Sequence, residues 1–154
     1  MDESRSATLT RIFDDSRVDA YLLSCDLAAL DALLGVPGID ARDRSGRTVL
    51  MRAAGEGNLL VVAHLLGAGA DASLIDVQGR TALHYAAVAG ADGVAELLCD
   101  SGTPLEARDS AGRTALWHAA AHNLPESAIV DVLLTRGANP KARDERGICP
   151  DDLM

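Results

Sequence analysis

The chain has 154 residues, 48% of them apolar but only 3% aromatic, and a net charge of −9. That length and apolar fraction fit one folded domain whose core is built from Ala, Leu and Val. The acidic balance argues against a nucleic-acid binder, which needs basic side chains to displace phosphate counterions, and equally against an anionic membrane surface.

Of the 14 basic residues only Lys141 is a lysine. With the many alanines, this bias suggests a GC-rich bacterial genome. Met1-Asp2-Glu3-Ser4-Arg5 leads into no apolar run, so neither a secretory signal nor a membrane span is expected, and the expected compartment is the cytoplasm. Cys25, Cys99 and Cys149 are far apart and odd in number, which fits reduced thiols.

In chain order, residues 6–42 suggest two helices. The first covers Arg17 to Leu23, and Asp26 caps a second with Leu27, Leu30, Leu33 and Leu34 on one face. Gly35-Val36-Pro37-Gly38 ends it. In residues 43–75, Thr48 caps a helix with Leu50, Ala53 and Ala54 inward, and a second helix from Asn58 to Leu66 stops at Gly67-Ala68-Gly69. Residues 76–108 repeat the plan, with Leu83, Ala86 and Ala87 inward and Ala95, Leu98 and Cys99 facing in from the second helix. Residues 109–143 depart from it twice. Trp117 stands where the preceding copy has His84, and two extra residues lie within 121–128, where Pro125 fits the first turn of the second helix. Residues 144–154 begin a further copy that stops after one turn. So short a helix must dock to persist, with Leu153 or Met154 expected as its anchor.

The copies share a fixed period. Gly46, Gly79 and Gly112 are 33 residues apart, as are Thr48, Thr81 and Thr114. Asp43, Asp76 and Asp109 open the copies, and Ala53-Ala54, Ala86-Ala87 and Ala119-Ala120 close the motif. The string Thr81-Ala82-Leu83-His84-Tyr85-Ala86 differs by one residue from T-P-L-H-x-A, and the chain resembles the ankyrin repeat. The resemblance implies an all-α solenoid forming a single domain over 1–154. Its units would be a degenerate N-terminal repeat (6–42), full repeats at 43–75, 76–108 and 109–143, and a truncated C-terminal repeat (144–154). It implies a non-enzymatic protein-binding module with no cofactor, in which His84 ties the helix start to the neighbouring turn.

No local set of nucleophile, base and charge stabiliser is present. Gly67-Ala68-Gly69-Ala70-Asp71-Ala72 matches the dinucleotide string G-x-G-x-x-A, but a helix-period segment precedes it where the pattern demands a strand. His118 and His122 have metal-ligand spacing on a helix, yet no third ligand or H-E-x-x-H glutamate accompanies them, which favours solvated histidines. The aspartate column reads as turn formers that accept backbone N–H groups.

A partner protein is expected on the concave face that the resemblance implies, formed by first helices and hairpin tips. The outward side of the first helices carries Arg52, Gly55 and Glu56, then Tyr85, Val88 and Ala89, then His118, Ala121 and His122. The row Arg52, Tyr85, His118 mixes residue types common at interface anchors, and Trp117 stands beside it. The tips add Arg44, Val77 and Gln78. Arg47, Arg80 and Arg113 form a column with two readings: recognition of an acidic partner surface, or pairing with the aspartate four residues earlier. The expected function is binding, and inhibiting or neutralising, one partner, as an immunity protein or inhibitor does, with the free chain a monomer. An adaptor or secreted effector linking two proteins is the alternative.

Overall fold

The computed structural model describes residues 15–35 and 38–154. Expectations that fall on residues 1–14, and on Val36 and Pro37, lie outside the described residues. Among the described residues eight helices follow in pairs: α1 (Asp15–Ser24) with α2 (Leu27–Leu34), α3 (Val49–Gly55) with α4 (Leu59–Gly67), α5 (Ala82–Ala89) with α6 (Asp92–Asp100), and α7 (Ala115–His122) with α8 (Ala128–Thr135). A 3-10 turn, Pro150–Asp152, ends the chain. The fold is an all-α solenoid.

Caps set the helix starts. Thr48 Oγ1 accepts from Met51 N–H and Thr114 Oγ1 from Trp117 N–H, while Asp26 and Asn58 do the same for α2 and α4. Each satisfies one of the donors that a helix's first turn leaves open. Pro125 lies outside α8, which begins at Ala128 after Ser127, so the expected place of that proline in the helix is not observed. The extra residues form a loop, with Leu124 exposed.

Small side chains let the first helices stack as α3, α5 and α7. Ala53, Ala54, Ala86, Ala87 and Ala119 are fully buried, with Leu50, Leu83 and Leu116 beside them. The second helices close the core with Val61, Val62 and Leu65, then Val94, Ala95 and Leu98, then Ile129, Val130 and Leu133. In α6 it is Val94 that is buried, whereas Cys99 is half-buried, a one-residue rotation from the expected face. Each buried leucine contributes about 1.5–3 kcal/mol, and in a stacked array that energy lies in seams between neighbours.

The hairpin turns repeat one geometry. Asp43 Oδ1 accepts from Ser45 and Arg47 N–H, at 2.8 and 2.9 Å. Asp76, Asp109 and Asp144 hold their turns in the same way. Gly46, Gly79 and Gly112 all sit at φ +74°, a left-handed conformation that glycine adopts without strain. Successive tips join through their backbones: Val77 N–H donates to Ser45 O (3.1 Å), Ser110 to Gln78 O (2.8 Å) and Glu145 to Ala111 O (3.1 Å). At the other end of the helices, the Asn58 amide donates to Leu22 O and that of Asn123 to Ala87 O.

The terminal turn docks differently from expectation. Cys149 is 4% exposed and Pro150 is buried, whereas Leu153 is half-buried and Met154 is 39% exposed. Cys149 N–H is capped by Asp152 at 3.0 Å, and Asp151 N–H reaches Pro140 O. The anchor is therefore Cys149-Pro150, which occupies the place of the buried threonine and first helical residue of the earlier copies.

Candidate functional site: the first-helix and hairpin face

Three columns run along this face. The middle one holds Asp19, Arg52, Tyr85 and His118, one per helix. Arg52 forms an ion pair with Asp19 of α1. Both residues belong to the same 33-residue register, a signal that sequence reading passed over. Tyr85 donates its hydroxyl to Asp76 Oδ2 at 2.5 Å, and burial followed by that bond pushes its pKa up to about 12. His118 Nε2 lies 2.8 Å from Asp109 Oδ2.

His118 is 2% exposed and Trp117 6%, so neither is a surface contact. This corrects their assignment to the partner-binding set, and His118 is not a solvated histidine. Burial outweighs the Asp109 carboxylate and lowers the His118 pKa. For Asp109, burial acts upward, but the bonds from His118, Arg113 N–H and Ala111 N–H outweigh it and hold the carboxyl below its usual range. The pair is thus a neutral imidazole donating to an ionised carboxylate. His122 is exposed, its ring stacked on His118 at 5.6 Å and its Nδ1 2.9 Å from His118 O. The two rings are spent on separate partners.

His84 is buried at the seam. Its Nδ1 faces Thr81 N–H at 3.1 Å and Thr81 Oγ1 at 3.0 Å, and its Nε2 faces Arg113 O at 3.1 Å. An Nδ1 that accepts and an Nε2 that donates define the neutral tautomer. Burial lowers its pKa to about 4, only partly opposed by the Arg113 carbonyl. The imidazole thus ties the start of α5 to the next hairpin.

The arginine column divides. Arg47 Nε pairs with Asp43 Oδ2 at 2.7 Å. Arg80 does not pair with Asp76, and Arg113 lies over the Trp117 ring at 4.2 Å, with Nε 3.6 Å from Asp144 of the next hairpin. The third column is Gly55, Val88 and Ala121, all exposed. At the tips Arg44, Val77 and Gln78 are exposed, Val77 by 73%. Where α1 meets α3, a cleft of about 540 Å³ is bordered by Leu23, Arg52, Glu56 and Tyr85. Leu23, 80% exposed, was not singled out from sequence, although it shares a register with Glu56 and Ala89.

Among the described residues no three His, Cys, Asp or Glu side chains converge as a metal site, and no helix is long and apolar enough to cross a membrane. Cys25, Cys99 and Cys149 are free thiols, and burial raises the pKa of Cys99. The arrangement offers a ribbed surface of part-buried arginines, a tyrosine and exposed valines, suited to binding.

Comparison with known families agrees with this geometry. The family model for ankyrin repeats (3 copies) matches residues 20–109 and residues 61–144. No match was found among curated proteins. The two family matches span most of the chain and meet the periodic hairpins, capped helices and backbone-linked tips on the same residues. The chain belongs to the ankyrin-repeat family of protein–protein interaction modules.

Proposed function

We propose that this protein binds one partner protein through the first-helix and hairpin face, the concave side in this family, and restrains that partner's activity as an inhibitor or immunity protein does. The observation that carries the reading is the pair Val77 and Val88, 73% and 39% exposed, beside Tyr85 and the arginine column. Apolar side chains flanked by part-buried polar groups are the composition of an interface core with its rim. Contact residues under this reading are Arg44, Arg47, Arg52, Val77, Gln78, Arg80, Tyr85, Val88, Arg113 and His122.

The test is affinity capture from a lysate of the source organism with wild type beside a Val77→Asp/Val88→Asp variant. Both positions are exposed, so the variant keeps the wild-type circular dichroism. Capture of one stoichiometric protein by wild type alone, and a fall in that protein's activity at saturation, are the expected results. Equal capture by both refutes the face.

A second reading rests on a separate observation. Leu59 and Leu60, 49% and 58% exposed on α4, give the second-helix layer its own apolar pair. An adaptor or effector joining two proteins would use both surfaces. Retention of a second captured protein by the valine variant, and its loss on Leu60→Asp, would identify that case.

A further inference from the structure

Each hairpin aspartate commits one oxygen to two backbone N–H groups, and the fate of the other oxygen differs along the array. In the first hairpin Asp43 Oδ2 accepts from Arg47, four residues on. In the second and third it is taken from nine residues on, by Tyr85 for Asp76 and by His118 for Asp109. Position 52, the equivalent of 85 and 118, is an arginine that pairs with Asp19 instead.

The consequence falls on the arginine column. Among the described residues Arg80 makes no side-chain hydrogen bond or ion pair, and its Nε is buried without a partner. Arg113 makes no side-chain hydrogen bond either: its Nε is buried without a hydrogen-bond partner and is engaged only by the looser ion pair with Asp144 Oδ2 at 3.6 Å. Both guanidiniums are partly desolvated, and that of Arg113 rests on an indole ring. Asp76 and Asp109 do not compete for them, because each already accepts three hydrogen bonds, and Asp144 draws Arg113 only through the 3.6 Å ion pair.

We propose that Arg80 and Arg113 form a receptor for an acidic, extended segment of the partner. This rests on the proposed binding face and names the chemistry that the face recognises. Stacked helices lie about 8–10 Å apart, and an extended chain rises about 3.3 Å per residue, so carboxylates two or three residues apart reach both arginines. A carboxylate fits the planar guanidinium fork in a way that a neutral amide does not. With the net charge at −9, the remaining surface repels such a segment and confines it to this column. Tyr85 and His118 act as positioning residues, because by occupying the aspartates they leave the arginines available.

The probe is an end-blocked peptide of alternating Glu and Thr, with its Gln/Thr counterpart as control, titrated into ¹⁵N-labelled protein while the arginine Nε–Hε cross-peaks are followed. The Glu peptide shifts the Arg80 and Arg113 cross-peaks saturably, and the Gln peptide leaves them in place. Arg80→Gln/Arg113→Gln weakens binding by about tenfold or more, whereas Arg136→Gln, far from the column, does not. Tyr85→Phe opens Asp76 Oδ2 to Arg80. In the free variant the Arg80 cross-peak then moves toward that of Arg47, and the peptide binds more weakly although no surface charge was removed. Equal shifts with both peptides, no saturable shift, or wild-type affinity in the double arginine variant would overturn the proposal. If Val77→Asp/Val88→Asp loses the captured partner while Arg80→Gln/Arg113→Gln keeps it, the face binds and the acidic assignment falls. If neither variant changes capture, the binding face itself is refuted.

Discussion

His84 makes the stability of this array depend on pH between about 7 and 5. Its pKa is about 4 in the folded chain, against 6.5 for a free imidazole. As pH falls below 6.5 the unfolded chain takes up a proton that the folded chain refuses until pH 4, so stability is lost on acidification. Integrating that difference gives about 2 kcal/mol lost between pH 7 and pH 5 from this residue. His118, also depressed, acts in the same direction. The assay is urea unfolding followed by circular dichroism at half-unit steps, for wild type and His84→Gln. Glutamine can still cap Thr81 N–H but does not titrate, so the variant loses about 1 kcal/mol at pH 7 for the missing bond to Arg113 O and shows a shallower pH slope. An NMR titration placing His84 near 6.5, or identical slopes in the two proteins, would refute the reasoning.

Three further outcomes follow from the packing. Gly90→Ala places a Cβ 2.5 Å from Asn123 Oδ1 at φ +68°, and the clash with the bridging amide costs about 2–3 kcal/mol, read as a lowered urea midpoint. Leu98→Ala empties a fully buried site in α6 and costs about 2–5 kcal/mol, while Leu134→Ala, 36% exposed, costs far less in the same assay. Asp109→Asn points an amide at His118 Nε2–H, donor against donor, and costs about 1–3 kcal/mol. Asp144→Asn loses less, because Asp144 Oδ2 has no hydrogen bond to give up.

What the sequence displayed was the part set by the backbone. Gly46, Gly79 and Gly112 recur because the turn demands a left-handed residue, and Thr48, Thr81 and Thr114 because a helix start demands an acceptor. Such demands are local, so a fixed period reveals them. The burial of His118 is not local. A helical wheel puts it outward beside Tyr85, but it leans toward Asp109 nine residues earlier and packs among the rings of His84, Trp117 and His122. Trp117 turns into the seam, as His84 does one repeat before. The terminal anchor could have been read: Cys149 continues the column of Thr48, Thr81 and Thr114, each 1% exposed, but apolarity drew attention to Leu153 and Met154 instead. Which arginines are committed was hidden as well, because it turns on what stands nine positions after each aspartate.

The seam between successive tips is made of main-chain atoms, N–H of one tip to C=O of the one before. Such a joint does not depend on which side chains meet across it, so the array tolerates splicing. A second copy of residues 76–108 inserted after Arg108 would present its own Val77 N–H to the Gln78 carbonyl that Ser110 now uses. The first copy's His84 would find the carbonyl of the new Arg80 where it now finds that of Arg113. A chain of this kind lengthens by gene duplication without first solving a new packing problem, and each added unit brings another arginine and another tyrosine to the same two columns.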